Sequence, residues 1–361
     1  MGRIRAAVCH EFKAPLTVEE VALRAPGPGE VEVTLGAVAV CHSDISYAEG
    51  GWGGTLPAVY GHEAAGTISA LGAGVTGYAT GDTVIVTLLR ACGTCPSCAT
   101  GAPVHCDTPY DRTAGPLSTV NGGVLEHGLQ TGAFAEKVVV ATSQIAPIPP
   151  DIPFEAACLL SCGVLTGVGA VVNTARVRPG ETVVVIGAGG VGLNAIQGAR
   201  IAGARRIIAV DMLPEKLETA LEFGATDGIL ATDPKPWRSA RAFTGRGADA
   251  VFVTVGAIPA FDTAMRYLDT KGRVYVVGMP HSGDLSSYEP AIVAATGQAV
   301  IGSMLGDAVL QRDIPWLVDL YGQGRLKLDE LISGRWTLDQ INEAIADTNT
   351  GAARRNVIVF Q

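Results

Sequence analysis

Residues 182–192 read TVVVIGAGGVG, residues 194–204 read NAIQGARIAGA and residues 205–211 read RRIIAVD. A β-branched run, a glycine-rich turn, a helical segment and a second β-branched run, in this order, predict a βαβ unit. Within the turn, Gly187, Gly189 and Gly192 have the spacing G-x-G-x-x-G. The first glycine permits a tight turn, the second lets the backbone approach a pyrophosphate, and the third lets the helix pack on the strand. The pattern therefore predicts a dinucleotide-binding loop at a helix N-terminus.

A G-x-G-x-x-G pattern on its own is more often a chance glycine turn, so its context matters. Here Gly190 and Val191 complete the loop, and Asp211 lies 19 residues past Gly192, at the end of the second predicted strand. Its carboxylate can accept hydrogen bonds from the adenosine ribose hydroxyls and would repel a 2′-phosphate. The next residues, 212–214, include no arginine. We therefore predict that the cofactor is NAD rather than NADP.

The rest of the chain divides into two kinds of pattern, and its length favours two domains. Helical patterns at 214–223 and 259–268 and apolar runs at 250–255 and 273–277 predict a mostly parallel, doubly wound sheet after residue 180. The first 150 residues instead predict a strand-rich domain, because short β-branched runs alternate with Gly and Pro turns. These runs are 30–35, 64–70, 83–88 and 134–140. The last segment has helical patterns at 314–321 and 338–347 and a strand-like VIVF at 357–360, and on pattern alone it fits either domain.

The composition excludes several classes of protein. A formal net charge of −9 over 361 residues offers no general attraction to nucleic acid or to anionic membranes. The apolar stretch 156–172 is slightly too short for a membrane span and contains glycines, so we interpret it as a buried crossover between domains. The N-terminus, MGRIRAAVCHEFKAP, lacks the apolar run of a signal peptide. We therefore expect a cytoplasmic protein whose eight cysteines are metal ligands or core thiols rather than disulfides.

Four cysteines form a compact motif in a loop rich in Gly and Pro. Cys92, Cys95, Cys98 and Cys106 have the spacing C-x2-C-x2-C-x7-C. Four thiolates can surround one tetrahedral ion and leave no coordination position open, which is typical of structural zinc. Iron–sulfur clusters use related short spacings, so iron is the alternative.

A second group of candidate ligands is dispersed along the chain. Taken singly, an isolated cysteine is usually a small core residue, and an isolated histidine is more often a hydrogen-bonded structural residue than a ligand. Together, Cys41, His62 and Cys162 would supply three ligands and leave one position open, which is the pattern of a catalytic zinc. On spacing alone, Cys158 is an alternative to Cys162.

The motifs together resemble the zinc-containing medium-chain alcohol dehydrogenase family over essentially the whole chain. The shared motifs, in the family's order, are CHSD at 41–44, GHE at 61–63, the four-cysteine motif, SCG at 161–163 and GAGGVG at 187–192. The resemblance implies a GroES-like, β-rich catalytic domain made of residues 1–163 and 305–361. A doubly wound Rossmann NAD-binding domain would occupy residues 164–304. It also implies that Cys162, rather than Cys158, is the ligand.

The same resemblance implies an activity and roles for individual residues. The enzyme would carry two zinc ions per chain and transfer hydride reversibly between a zinc-bound alcohol or aldehyde and NAD. Ser43 would take the substrate proton, Asp44 would orient His62, and Glu63 would lie beside the metal. The remaining cofactor contacts would be His42 and Arg355 at the pyrophosphate, Thr166 at the nicotinamide and Lys216 near the adenosine ribose.

One position departs from the best-known members, which have a histidine at the outer end of their proton relay where this chain has Ser46. Serine has no pKa near 7, so it cannot be the terminal base. Relatives that oxidise thiol adducts of formaldehyde share this substitution, and an S-hydroxymethyl-type substrate is therefore an alternative. In the glutathione-dependent members an arginine binds the substrate carboxylate. That position holds Tyr110 here, and Arg112 lies two residues later.

The resemblance also suggests a pocket and an assembly. Family wall positions correspond to Trp52, Leu88, Met279 and Met304. They predict an apolar pocket that Trp52 narrows in favour of primary or flat unsaturated alcohols, although Trp52 could instead be a core residue. The long segment between Cys106 and Phe134 resembles that of dimeric members, so we expect a homodimer. The competing classes are a zinc-free reductase of the same superfamily, which would lack the cysteine motifs, and a non-catalytic NAD-binding protein, which would lack a ligand.

Overall fold

The structure is a computed structural model that describes residues 2–360. The chain forms two compact units, Met1–Cys162 with Val309–Gln361, and Gly163–Ala308. The sequence predicted the boundaries at 163/164 and 304/305. In the structure Gly163 and residues 305–308 belong instead to the second unit. The reason for the second difference is packing, because a Cβ on Gly306 would lie 2.7 Å from the Cα of Gly169 in the second unit.

The elements are named here in chain order. The strands are β1 (Gly2–Cys9), β2 (Thr17–Leu23), β3 (Glu30–Ala39), β4 (Ala58–Val59), β5 (Glu63–Leu71), β6 (Thr83–Thr87), β7 (Leu117–Thr119), β8 (Glu126–His127), β9 (Lys137–Ala141), β10 (Ile145–Pro147), β11 (Thr182–Ile186), β12 (Arg206–Asp211), β13 (Asp227–Leu230), β14 (Ala248–Val253), β15 (Leu268–Val276), β16 (Ala299–Gly302), β17 (Ile332–Trp336) and β18 (Arg355–Val359). The α-helices are α1 (His42–Ala48), α2 (Pro96–Ala99), α3 (Phe154–Ala157), α4 (Gly163–Gly169), α5 (Gly190–Ile201), α6 (Pro214–Phe223), α7 (Pro236–Thr244), α8 (Ile258–Ala264), α9 (Pro290–Thr296), α10 (Leu310–Gly322) and α11 (Ile341–Asn349).

The first unit is built on two sheets with the strand orders β7-β2-β1-β4-β8 and β10-β6-β5-β3-β18-β17, and β9 also pairs with β3. The C-terminal tail belongs here because β18 pairs antiparallel with β3. Strand β3 ends at Ala39, which pairs with Glu63 at the start of β5. Cys41 follows the end of β3 and His62 precedes the start of β5. The register therefore brings both residues to the same end of these two strands.

The second unit is a parallel sheet with the order β13-β12-β11-β14-β15-β16. The order reverses between β11 and β14, and ligands of such sheets bind at the carboxyl ends of the strands beside this reversal. All five residues of β11 are buried, as expected for a strand with helices on both faces. Helices α6 and α7 each end at a glycine in the left-handed conformation, Gly224 and Gly245, where a Cβ would be strained.

Residues 156–171, within the stretch interpreted as a buried crossover, are buried in the structure. Within residues 2–360, no single helix is long and apolar enough to cross a membrane. Phe154–Ser161 and Gly163–Ala175, bent by 50° at their junction, meet that test only as a pair and only by length and composition.

Candidate active site and cofactor loop

Four potential metal ligands of the first unit converge at the shared end of β3 and β5. One ligand atom from each of Cys41, His62, Glu63 and Cys162 lies within 4.8 Å of the others, and all four residues are buried. Three of them are the ligands predicted for a catalytic zinc, and the fourth is the carboxylate predicted beside it. The geometry thus brings together residues that are up to 121 positions apart in the sequence.

Asp44 links this cluster to the backbone through hydrogen bonds. Its Oδ1 accepts hydrogen bonds from Gly61 N–H at 2.8 Å and from His62 Nδ1 at 2.9 Å. Its Oδ2 accepts from Cys41 N–H at 3.2 Å. Because Nδ1 of His62 donates to the carboxylate, Nε2 is the ring nitrogen left to bind a metal, which would displace the proton from it.

Two buried polar atoms in the cluster have no hydrogen-bond partner among the described residues, His62 Nε2 and Glu63 Oε1. They lie 4.0 Å apart. Buried polar atoms are rarely left unpaired, and a cation between these two atoms and the thiols would satisfy both. The donor set of two sulfurs, one imidazole and a nearby carboxylate fits zinc.

The other oxygen of Glu63, Oε2, accepts a hydrogen bond from Arg355 at the start of β18. Both side chains are buried, so the guanidinium neutralises a carboxylate that would otherwise be a lone buried charge. The sequence predicted a cofactor role for Arg355 and a metal role for Glu63, but it gave no sign of this contact between residues 292 positions apart.

The charges around the cluster favour deprotonated thiols. Hydrogen bonding from Cys162, together with the charges of His62 and Arg355, holds the pKa of Cys41 well below its usual range in spite of burial. For His62, burial lowers the pKa, but the charge of Asp44 and its hydrogen bond outweigh this effect and raise the pKa to about 10.

The structure distinguishes the two cysteines that spacing left open. Cys158 is not part of the ligand cluster. Its Sγ instead donates to the Glu155 carbonyl at 3.2 Å, and burial raises the pKa of its thiol. The neighbouring Ser161 donates to the Ala64 carbonyl on β5 at 3.1 Å, which fixes the turn that presents Cys162. This anchoring role of Ser161 was missed, since a lone serine carries no pattern.

Helix α1 starts directly at the cluster and carries the predicted relay residues. Its first two residues are His42, which is exposed, and Ser43, which is half-buried. Ser46 lies one turn later on the same helix and is also half-buried. Ser43 therefore lies close to Cys41. Its role as proton acceptor stays a prediction.

The four-cysteine motif forms a separate lobe in which the thiols face one another. The Sγ atoms of Cys95 and Cys106 are 3.9 Å apart, near the separation of about 3.8 Å expected for two thiolates on one tetrahedral zinc. The backbone N–H groups of Cys95 and Cys98 donate to the sulfurs of Cys92 and Cys95 at 3.2 and 3.4 Å. These bonds stabilise thiolates. All eight cysteines of the chain are free thiols, so the lobe fits a metal rather than a disulfide.

In the second unit the glycine loop has the shape that the sequence predicted. Gly187 has a φ of 98°, and a Cβ there would lie 2.4 Å from Val255. A Cβ on Gly192 would lie 1.8 Å from the Gly187 carbonyl oxygen, so both positions require glycine. A Cβ on Gly189 would meet no described atom within 4 Å. The space beside Gly189 is therefore open at the N-terminus of α5, where a pyrophosphate would bind.

Asp211 ends β12 next to this loop and is half-buried. Its Oδ2 accepts a hydrogen bond from Ala188 N–H at 2.7 Å and its Oδ1 accepts from Leu213 N–H at 3.2 Å. The carboxylate thus also holds the glycine loop, a function that the sequence did not reveal. Thr166 is buried on α4, and Lys216 is half-buried in the first turn of α6.

The predicted pocket-wall residues lie in both units. Trp52 and Leu88 are half-buried in the first unit, and Met279 and Met304 are exposed in the second. Trp52 packs edge-on against Tyr47 of α1, with ring centroids 5.2 Å apart. Its partial exposure distinguishes it from the fully buried aromatic residues of the core.

Two family models match the chain. Residues 27–150 match the alcohol dehydrogenase GroES-like domain, and residues 190–323 match the zinc-binding dehydrogenase domain.

The relatives cover essentially the whole chain. The class-3 alcohol dehydrogenase of Myxine glutinosa is 36% identical, over 98% of this chain and 97% of its own length. The NDMA-dependent alcohol dehydrogenase of Amycolatopsis methanolica is 34% identical, over 99% of both chains. Among solved structures, benzyl alcohol dehydrogenase from Acinetobacter calcoaceticus has a TM-score of 0.94 and 30% identity, with 100% of both chains covered.

Fold, ligand cluster and relatives together define a zinc-binding dehydrogenase with a GroES-like domain and a Rossmann domain. The chain belongs to the zinc-containing medium-chain alcohol dehydrogenase family, and it is an oxidoreductase. The fold class and the enzyme class predicted from the sequence are confirmed. Zinc and NAD are the typical cofactors of this family.

Proposed function

We propose that the enzyme oxidises primary, apolar or flat unsaturated alcohols to aldehydes with NAD, and catalyses the reverse reaction. The observation that carries this proposal is the buried Cys41–His62–Cys162 cluster with the unpaired Nε2 of His62. A closed structural site would supply four strong ligands, but this cluster supplies three and a carboxylate already bound to Arg355. Three ligands leave a position for a substrate oxygen.

Two zinc ions per chain would be bound. Cys41, His62 and Cys162 would hold one, and Cys92, Cys95, Cys98 and Cys106 would hold the other. The first ion would act as a Lewis acid that makes the alcohol hydroxyl acidic near neutral pH.

The chain's own residues would orient the histidine ligand, accept the proton and adjust the local charge. Asp44 keeps His62 in the right tautomer. The Ser43 hydroxyl would accept the alcohol proton. Glu63 would adjust the charge beside the metal, and Arg355 would keep that carboxylate ionised while contacting the cofactor pyrophosphate together with His42.

The preference for NAD would come from Asp211. Its carboxylate lies beside the glycine loop, where it would accept hydrogen bonds from the ribose hydroxyls and repel a 2′-phosphate. Lys216 would lie near the same ribose, and Thr166 would border the nicotinamide.

The substrate class is inferred from the residues that the family resemblance assigns to a pocket wall. Trp52, Leu88, Met279 and Met304 are all apolar, and the relative from Acinetobacter calcoaceticus is a benzyl alcohol dehydrogenase. A thiol adduct of formaldehyde is the second candidate, because the class-3 relative is 36% identical. It ranks second since Arg112 is ion-paired with the buried Glu126 and is therefore a poor partner for a substrate carboxylate.

A substrate and metal assay tests the proposal. NADH formation should be faster with benzyl alcohol and 1-butanol than with 2-butanol, and glutathione should not be needed for formaldehyde turnover. Elemental analysis should find two zinc ions per chain. Cys162→Ser should leave one zinc and a folded protein that binds NADH without turnover, whereas Cys95→Ser should mainly cost folding. Iron in place of zinc, or equal loss of fold in both variants, would refute the metal assignment.

We also propose a homodimer that forms through β16. This strand pairs with β15 on one side, and no described strand pairs with its other side. The edge carries no charged residue, although charges normally protect such edges from association. Val300 on this strand is exposed, and so are three apolar side chains in the segment that precedes it in the sequence, Leu285, Tyr288 and Ile292.

A further inference from the structure

A buried carboxylate in the first unit joins three segments around Trp52. Glu126, on β8, is 1% exposed. Its Oε2 accepts a hydrogen bond from Thr55 N–H at 2.6 Å, and its backbone N–H donates to the Pro57 carbonyl at 2.8 Å. Side chain and backbone of one residue thus hold the loop of residues 50–57, which carries Trp52.

The second partner of this carboxylate comes from the segment that leaves the four-cysteine lobe. Arg112 Nη1 lies 3.0 Å from Glu126 Oε1, an ion pair without a well-aligned hydrogen bond. The guanidinium carbon of Arg112 also lies over the Tyr47 ring, 5.9 Å from its centroid. The same Tyr47 ring packs edge-on against Trp52, at 84°. Arg112 therefore contacts the Trp52 loop in two ways, through Glu126 and through Tyr47.

The charge balance makes Arg112 necessary at this place. A buried carboxylate without a cation is strongly unfavourable, and Arg112 is the charged partner that the structure gives to Glu126. Arg112 is about one-third exposed, so it spans from the surface to this buried charge. Tyr60 also stacks on the Tyr47 ring, with ring centroids 6.0 Å apart, which gives the ring a second aromatic neighbour.

We propose that Arg112 and Glu126 are positioning residues that hold Trp52 in place as a wall of the alcohol pocket, so that they set substrate preference without touching the substrate. The proposal rests on the proposed function for the role of Trp52 as a wall. It also gives Arg112 a use other than binding the carboxylate of a thiol adduct.

The first test does not depend on activity. The protein is labelled with 5-fluorotryptophan, and the Trp52 resonance is identified by its loss in Trp52→Phe. In Arg112→Met and Glu126→Gln the ¹⁹F signal of Trp52 should shift or broaden, while Arg112→Lys, which keeps the charge, should restore it in part. Lys137→Met, which breaks the ion pair of Lys137 with Glu32 in the same unit, is the matched control and should leave the signal unchanged. An unchanged Trp52 signal in both test variants would overturn the proposal.

The second test separates positioning from general stability. The ratio of kcat/KM for benzyl alcohol to kcat/KM for 1-butanol should fall about tenfold in Glu126→Gln, through KM more than kcat, which is the scale of a change in pocket fit. In a Trp52→Leu background the same change should have no further effect on the ratio, because the wall is already removed. Additive effects in the two backgrounds would overturn the proposal. A wild-type enzyme that oxidises neither alcohol would refute the proposed function, and the ¹⁹F result would still decide the positioning role.

Discussion

Asp44 shows how one side chain can organise a candidate metal site. It accepts hydrogen bonds from Cys41 N–H, Gly61 N–H and His62 Nδ1, so the two candidate ligands from separate strand ends share one buried acceptor. The same residue lies in the first turn of α1, where a carboxylate is favoured by the helix dipole. The helix that carries Ser43 is thereby fixed relative to the ligands.

Ser43 and Ser46 lie on this one helix and provide a matched pair. If Ser43 accepts the alcohol proton, Ser43→Ala should lower the rate of hydride transfer by about 10²- to 10⁴-fold, the usual size of an acid–base contribution. NADH affinity should stay nearly unchanged. Ser46→Ala should have little effect. The rates are measured by stopped-flow in a single turnover, so that product release does not mask the step. Near-normal hydride transfer in Ser43→Ala would mean that the proton leaves by another route.

Asp211 holds the glycine loop in the structure and is proposed to select NAD, and variants can separate these two roles. Asp211→Gly should weaken NAD binding and narrow the gap between NAD and NADP, because it removes an acceptor and a charge that repels the 2′-phosphate. It should also loosen the loop at Ala188. Asp211→Asn retains an acceptor for that N–H and should keep more of the NAD affinity. Dissociation constants for both cofactors are measured by fluorescence titration. An unchanged cofactor preference in Asp211→Gly would assign discrimination to other residues.

At the scale of elements, the short strand β8 connects several segments through a buried histidine. His127 Nδ1 accepts a hydrogen bond from the Tyr110 hydroxyl at 2.5 Å, and Nε2 donates to the Thr131 carbonyl at 2.7 Å. Burial lowers the pKa of His127 to about 4, against opposing effects of the Thr131 carbonyl and Glu30. The charged and titratable groups around this site are Arg24, Glu30, Arg90 and Tyr110.

This histidine should make stability depend on pH. Its pKa is lower in the folded state than in the unfolded state, where it is about 6.5, so the unfolded chain binds the proton first. The stabilisation that His127 contributes is complete above pH 6.5 and is lost as the pH falls towards 4. At pH 5 the free energy of unfolding should be lower by about 2 kcal/mol. Thermal unfolding of His127→Gln should therefore respond less to acid than that of the wild type. Tyr110→Phe, which keeps the titrating ring, should retain the steep response. Parallel pH profiles for the wild type and His127→Gln would contradict the assignment.

The elements also show what local sequence can and cannot predict. Helix α6 has the predicted bounds 214–223 and strand β11 opens the predicted βαβ unit, because the Pro214 and Gly224 boundary residues and the β-branched run act locally. The predicted helix at 259–268 ends early, and β15 begins at Leu268 rather than Arg273. An apolar pattern alone could not locate that change.

At the site, spacing and family resemblance predicted which residues would come together, and their roles stay predictions. The contacts of Arg355 with Glu63 and of Arg112 with Glu126 were not predicted. They depend on which segments become neighbours in the fold, and no local pattern encodes this. Long-range ion pairs of this kind require the folded structure.

At the scale of the whole molecule, the proposed homodimer would form at the open edge of β16. A twofold axis would pair β16 with its copy and continue the sheet of the second unit across both subunits, as is common for symmetric dimers. Val300, 54% exposed on this strand, would then be covered by the partner.

A charge at Val300 tests this assembly. The wild type should have the mass of two chains by size exclusion with light scattering, and Val300→Asp should have the mass of one, because a carboxylate would be buried without a partner at the paired edges. Phe243→Asp is the matched control, since Phe243 is 42% exposed on α7 of the same unit and lies on a helix rather than on the open edge. It should remain dimeric. A wild type with the mass of one chain, or a Val300→Asp variant that keeps the mass of two, would show that β16 is not the interface. If the variant is monomeric and still binds NADH with wild-type affinity, the second unit folds without its partner, and the dimer serves stability or substrate access rather than formation of the cofactor loop.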